Sequence, residues 1–142
     1  MEYPDWVNTI AVTSDGQFVF IRQYRHGLQQ TSYELCAGVC EKEDASPLAS
    51  AQRELLEETG YGNGSWQEYM QISPNPSTHT NITYCFLATG VEKISEQHLE
   101  DTESLSVHLL TLAEVKELLQ KGEIKQALMA APLWKYIAEK GL

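Results

Sequence analysis

Three glutamates, Glu54, Glu57 and Glu58, close the run Arg53-Glu54-Leu55-Leu56-Glu57-Glu58-Thr59-Gly60-Tyr61. On a helix of 3.6 residues per turn they fall within an arc of roughly 100°, so the three carboxylates share one face. Like charges three and four residues apart cost a helix a few tenths of a kcal/mol per pair, and such a face needs a counter-charge. A divalent cation is the natural candidate, since hard cations take oxygen ligands. The chemistry the cluster suits is therefore that of a bound metal ion. Taken alone, an acidic helix face is usually just solvated, and Arg53 paired with Glu57 one turn on is an ordinary surface ion pair. The surrounding residues decide between the two.

The helix that carries these acids can be placed from its own residues. Leu48, Ala51, Leu55 and Thr59 recur at helical spacing opposite the acidic arc and form the side expected to pack on a core. Ser46 is suited to cap the start, Pro47 to the first helical position and Gly60 to a left-handed C-cap. The helix should be about three to four turns long.

Around it the chain alternates strand-like and helix-like segments without linker, repeat or low-complexity stretch. Val7 to Thr13 and Phe18 to Tyr24 are β-rich and joined by the turn-forming Ser14-Asp15-Gly16-Gln17. Ser32 to Leu35 reads as a short strand leading into a loop at Ala37-Gly38. Trp66 to Ile72, Asn81 to Ala88 and Leu105 to Leu110 complete a mixed sheet. Thr111 with Glu114 forms a capping box for a helix over Leu112 to Leu119, which Gly122 ends. A last helix runs from about Ile124 to Lys140, with Pro132 predicting a kink or a break into two pieces. Trp134 and Tyr136 read as packing residues. The architecture expected is α/β, with helices on either side of a mixed sheet, in one domain spanning residues 1–142.

Composition narrows the function classes. A formal net charge of −10 argues against sequence-independent nucleic-acid binding, and it requires local charge reversal if the substrate is an anion. Cys36, Cys40 and Cys85 lack a paired zinc spacing and read as small buried hydrophobes. His26, His79, His98 and His108 form no ligand pair on a helix face. The sequence shows neither a secretory leader nor a membrane span, which leaves cytoplasmic residence as the default and no membrane partner.

The segment from Gly38 to Tyr61 resembles the signature of the Nudix hydrolases: Gly, five residues, Glu, seven residues, Arg-Glu-aliphatic-any-Glu-Glu-any-Gly-aliphatic. Arg53 to Gly60 match it at every fixed position, with Tyr61 in place of the final aliphatic residue. Gly38 lies fifteen residues before Arg53 rather than fourteen, and Ala45 stands at the strict Glu position. Glu43 or Asp44 can fill that role if the loop carries a small insertion, which is thermodynamically cheap; Glu43 is preferred, with Ala45-Ser46 as the extra residues. Arg22-Gln23-Tyr24-Arg25-His26-Gly27 and Tyr33-Glu34-Leu35-Cys36-Ala37-Gly38 look like elements of the ADP-ribose pyrophosphatase-like branch, with Cys36 where that branch usually has proline. Ser73-Pro74-Asn75-Pro76, Glu100-Asp101-Thr102-Glu103 and Gly122-Glu123-Ile124 continue the likeness.

The resemblance implies a Nudix α/β/α sandwich and a Mg²⁺-dependent hydrolase, with Mn²⁺ able to substitute, acting on a small-molecule nucleoside diphosphate substrate. The metal ligands it implies are the side chains of Glu54 and Glu58 and the backbone carbonyl of Ala37, with Glu57 as a ligand or a partner of one. The proton acceptor would come from the acidic loop, with Glu103 first and Asp101 and Glu100 as neighbours. Arg25, helped by Arg22, would clamp a phosphate, and Glu34 would hold the loop or touch the substrate. ADP-ribose, cleaved to AMP and ribose 5-phosphate, leads the substrates; other nucleotide sugars remain open. Relatives of this branch carry several dozen residues before the segment matching Asp5-Trp6-Val7 that contribute to base recognition and to the dimer. Met1 here stands almost directly before the first core strand, so the nucleoside half of the pocket and homodimer formation stay open. The second hypothesis is a Nudix-like domain that binds a nucleotide metabolite without turning it over.

Overall fold

The computed structural model describes residues 4–25, 30–77, 81–99 and 105–141, with Tyr24, Arg25, Gln30 and Thr31 described through their backbone only. The elements run β1 (Trp6–Thr13), β2 (Phe18–Arg25), β3 (Gln30–Glu34), β4 (Cys36–Val39), α1 (Pro47–Thr59), β5 (Tyr61–Gly62), β6 (Ser65–Ile72), β7 (Thr83–Lys93), β8 (Leu105–Leu110), α2 (Leu112–Gln120) and α3 (Ala127–Glu139).

β1 is buried from Val7 to Val12, as expected of a strand covered on both faces. It pairs in parallel with β7, from Trp6 opposite Thr83 to Val12 opposite Thr89. The Ser14–Gln17 turn joins it to β2: Thr13 N–H donates to the Gln17 carbonyl at 2.8 Å and Gly16 takes a φ of 83°. β1 and β2 pair only next to this turn, at Val12 opposite Phe18. Beyond it the two strands part. β2 goes on to β3 and β8, and β1 acquires β4 as its second neighbour, from Trp6 opposite Val39 to Thr9 opposite Cys36.

That fork corrects the expectation of a loop at Ala37-Gly38. Both residues lie in β4, opposite Asn8 and Val7, because the edge of β1 released by β2 needs hydrogen-bonding partners. The same fork sets them beside α1.

The sheet divides the core in two. Ile10, Val12, Phe18 and Phe20 pack with Val115, Leu119, Met129, Leu133 and Ile137 beneath α2 and α3. Ala11, Val19 and Val7, on the alternate positions, pack with Leu55 and Ala51 of α1. Helices thus cover both faces of a mixed sheet, as expected.

α2 has the capping box, with Thr111 Oγ1 accepting the Glu114 N–H at 3.1 Å and Glu114 Oε1 accepting the Thr111 N–H at 2.9 Å. Tyr136 packs edge-on against Phe18, whereas Trp134 is exposed. α3 starts three residues later than expected and passes through Pro132 as one helix rather than two pieces. Proline removes the N–H that would bond the carbonyl four residues back, that of Leu128. The buried Asn8 side chain of β1 donates to this carbonyl at 2.8 Å instead. No helix among the described residues is long and apolar enough to cross a membrane.

Candidate active site

α1 is bounded by the expected caps. Ser46 Oγ accepts the Ala49 N–H at 3.1 Å, Pro47 opens the first turn, and Gly60 closes it in the left-handed region with φ of 79°. Its buried residues are Ser50, Ala51, Leu55, Glu58 and Thr59. Leu48, expected on this face, is exposed: the burial begins at Ser50 and Ala51, so Leu48 stands clear of the core.

The three acids occupy different environments. Glu58 is buried, and its Oε1 accepts from the Cys36 thiol of β4 at 3.3 Å. Glu57 is half-exposed and Glu54 mostly buried. Burial pushes the Glu54 carboxyl above its ordinary range, opposed by the Arg53 guanidinium and by a hydrogen bond with Glu58. Gly38 makes room for Glu54: a Cβ there would run into the Glu54 carboxyl and come within 2.7 Å of its Cγ. Gly38 therefore lies against Glu54, while the Ala37 side chain packs on the other face, with the core beneath α2 and α3.

Arg53 supplies part of the counter-charge that the acids require. Its Nη1 donates to Glu54 Oε1 at 3.0 Å and to Glu57 Oε2 at 3.3 Å. Asp44 holds the other edge of the guanidinium, with Nε to Oδ1 at 3.0 Å and Nη2 to Oδ2 at 2.9 Å, while Nη2 also donates to the Val39 carbonyl. This two-pronged grip holds the Asp44 carboxyl well below the usual range and pushes the guanidinium up. Asp44 is fixed in turn by Ser50 Oγ at 2.7 Å and by the Glu41 N–H at 3.0 Å. Glu43 is exposed, so the preference between the two loop acids passes from Glu43 to Asp44. The turn that points Asp44 inward, closed by its own N–H on the Glu41 carbonyl, turns Glu43 out.

The other expected residues are distributed as follows. Glu34 accepts from Ser32 Oγ at 3.1 Å and lies opposite Ile21. Arg22 stacks on the Tyr33 ring, 5.2 Å from its centroid. By alternation along β2 it shares the face of Phe18 and Phe20, across the sheet from α1, so the structure does not bring it to the acids. Arg25 is described through its backbone only, and Glu100, Asp101 and Glu103 lie outside the described residues.

Two contacts escaped the sequence reading. Ser50 is a fully buried serine between Ala49 and Ala51, and its three-residue spacing to Arg53 was the available signal. The Cys36 thiol touches Glu58, where only apolar packing was expected; its departure from the proline of the branch was the signal there.

Among the described residues no three acid, histidine or cysteine side chains converge on a point at ligand distance, because Arg53 draws Glu54 and Glu57 to itself. The donor set nevertheless fits a hard divalent cation. It consists of carboxylate oxygens beside a strand backbone, and Glu54 is raised by burial, which a nearby positive charge would reverse.

Comparison with known proteins agrees with this geometry. The family model described as NUDIX domain matches residues 3–131. An ADP-ribose pyrophosphatase of Bacillus subtilis (strain 168) is 30% identical over 128 residues, which span 89% of this chain and 69% of that protein. A methanol dehydrogenase activator of Bacillus methanolicus is 30% identical over 125 residues, 87% of this chain and 67% of that one. The chain thus spans about two thirds of the length of these relatives. A solved structure described as that of an ADP compounds hydrolase superposes with a TM-score of 0.80 at 21% identity, over 96% of this chain and 74% of its own, a likeness of fold. The chain belongs to the Nudix family, on the branch that resembles ADP-ribose pyrophosphatases.

Proposed function

We propose that this single Nudix domain is a divalent-cation-dependent pyrophosphohydrolase of nucleoside diphosphate derivatives, with ADP-ribose as its leading substrate, cleaved to AMP and ribose 5-phosphate. The observation that carries the reading is the placement of the acids at the end of α1 against β4, where the missing Cβ of Gly38 leaves room for the Glu54 carboxyl and the Cys36 thiol meets Glu58. The name of the Bacillus subtilis relative supports the choice of substrate.

Glu54, Glu58 and the Ala37 carbonyl would hold Mg²⁺, or Mn²⁺ in its place, with Glu57 as a further ligand or a partner of one. When bound, the cation neutralises the phosphoryl oxygens and lowers the barrier to attack by water. That neutralisation matters on a chain with a net charge of −10, which otherwise repels an anionic substrate. Arg53, anchored by Asp44, opposes the upward pull of burial on Glu54 and so favours the ionised carboxylate that a cation needs. Gly38 keeps the space for that carboxylate, and Cys36 donates to the buried oxygen of Glu58. Glu103 is the proposed proton acceptor, with Asp101 beside it, and Arg25 the proposed phosphate clamp.

The test is turnover of a panel of ADP-ribose, other nucleotide sugars, dinucleotides and nucleoside triphosphates, with Mg²⁺ and with chelator, in the wild type and in Glu58→Gln. Cation-dependent production of AMP from ADP-ribose, lost in the variant, is the expected result. A different preferred diphosphate would replace the substrate and keep the site. The second reading, a metabolite-binding domain without turnover, draws on the relative named for activating methanol dehydrogenase. Tight binding of one compound with no turnover of any would establish it.

A further inference from the structure

We infer that Gln97 is a positioning residue for the acid-bearing end of α1, acting together with the backbone of His98. The inference rests on the cation site proposed above and concerns what keeps it in place.

The last turn of a helix leaves carbonyl groups without intrahelical partners. In α1 two of these belong to Glu57 and Glu58, whose side chains are the candidate ligands. The Glu57 carbonyl accepts the His98 N–H at 2.7 Å, and the Glu58 carbonyl accepts Gln97 Nε2 at 2.8 Å. Just beyond, the Gly60 carbonyl accepts both the Ile94 N–H at 2.8 Å and the Ser95 N–H at 3.1 Å. Residues 94–98, leaving the end of β7, therefore lie across the helix end as a strap.

The fit is close enough to constrain sequence on both sides. A Cβ on Gly60 would fall on the Ser95 carbonyl, and one on Gly62 would come within 2.6 Å of Ile94 Cδ1. Gly60 itself already closes the helix, its N–H donating to the Leu56 carbonyl at 2.8 Å. The strap is thus additional to the helix's own cap. Gln97 is exposed, and among the described residues its side chain donates to the Glu58 carbonyl.

Helix ends fray, and fraying here would carry Glu57 and Glu58 with it. A ligand carboxylate follows its backbone, and displacements near an ångström are enough to spoil a cation site or a reaction geometry. Glu58 is pinned from its side chain by Cys36 and from its carbonyl by Gln97, while Glu57 is pinned by Arg53 and by His98. Each of the two acids is therefore held at both ends.

The experiment compares wild type, Gln97→Met, which keeps the length and loses the donor, and His98→Pro, which removes the backbone N–H. Calorimetric titration of the metal-free protein with Mn²⁺, hydrogen exchange of the Ile94, Ser95 and Gly60 amides, and kcat and KM for ADP-ribose are read on each. Both variants should lose amide protection, keep their thermal midpoints near wild type, and bind Mn²⁺ weaker by on the order of tenfold. At limiting Mn²⁺ kcat should fall, with KM for ADP-ribose little changed. Wild-type Mn²⁺ affinity in both variants overturns the inference, whether or not the amides lose protection, and leaves the functional reading standing. Failure of the wild type itself to bind Mn²⁺ overturns the functional reading and this inference with it.

Discussion

Gly38→Ala separates the candidate site from the fold that carries it. The Gly38 backbone is outside the left-handed region, so alanine is not strained there, and replacing glycine at a compatible position stabilises by about 0.4–1 kcal/mol through the unfolded state. Against this, the new methyl occupies the space of the Glu54 carboxyl, 2.7 Å from its Cγ, and the side chain must leave its rotamer at about 0.5–1.5 kcal/mol. Loosening the Arg53–Glu54 pair costs at most about 1 kcal/mol more. The net change therefore runs from near zero to a loss of roughly 2 kcal/mol. At about 2–4 °C per kcal/mol the thermal midpoint falls by less than roughly 8 °C, and the protein stays folded.

The cation site fares worse, because the carboxylate it needs has been pushed aside. Displacing one ligand or its support costs on the order of 10- to 100-fold in metal affinity. Mn²⁺ calorimetry, Mg²⁺-dependent turnover of ADP-ribose and thermal melts, read together on this variant, give the comparison. A folded Gly38→Ala protein with wild-type Mn²⁺ affinity and turnover would refute the assignment of Glu54. An unfolded one would refute the energetic argument, since it would mean the methyl meets something less yielding than a side chain.

Glu58→Gln should abolish most Mg²⁺-dependent turnover while leaving the denaturation midpoint unchanged or higher, because it removes one charge from a buried like-charged pair; near-normal turnover at saturating Mg²⁺ would be the contrary result. Leu55→Ala, at a fully buried position under the sheet, should cost roughly 2–5 kcal/mol in urea titration, and an unchanged midpoint would contradict the orientation of α1. Asp44 has a folded pKa depressed by Arg53, so its contribution to stability is present above its unfolded value near 3.8 and is lost as pH falls through the lower folded value. Asp44→Asn should therefore be less stable than wild type at neutral pH, with the gap closing in acid; a gap that widens in acid would refute the pairing. Asn8→Ala should cost about 1–3 kcal/mol by leaving the Leu128 carbonyl only the long Cys85 thiol contact at 3.9 Å, and distinctly less in a Pro132→Ala background, where the restored N–H serves that carbonyl; equal costs in both backgrounds would dissociate the two residues.

What the sequence made legible was local. α1 could be delimited because Ser46, Pro47 and Gly60 act on their own neighbours, and the capping box of α2 because Thr111 and Glu114 need only each other. Periodicity placed Ala51 and Leu55 toward the core but could not show that Leu48 overhangs it while Ser50 is buried. The pairing of Ala37 and Gly38 depends on β1 parting from β2, an event set by strands far apart in sequence. The choice of Asp44 over Glu43 likewise turns on the direction of a loop, held by a guanidinium nine residues on and a serine hydroxyl six residues on. Spacing brought the three glutamates to one face, but not the fact that Arg53 reaches two of them while Glu58 is buried against a thiol.

Pro132 is the clearest case of why such readings stop where they do. A proline within a helical run predicts a break because the carbonyl four residues earlier loses its donor. The sequence also shows Asn8 in the middle of an apolar strand, a polar residue with no local reason to be there. Each is an irregularity on its own, and each carries a cost: an unpaired carbonyl in one case, a buried amide in the other. The structure sets them against one another across 120 residues: Asn8 Nδ2 donates to Leu128 O, so the amide's donor serves the carbonyl, while the buried Asn8 Oδ1 is left without a partner among the described residues. α3 can then remain a single helix and lay Met129, Leu133 and Ile137 on the sheet, which covers the face opposite α1.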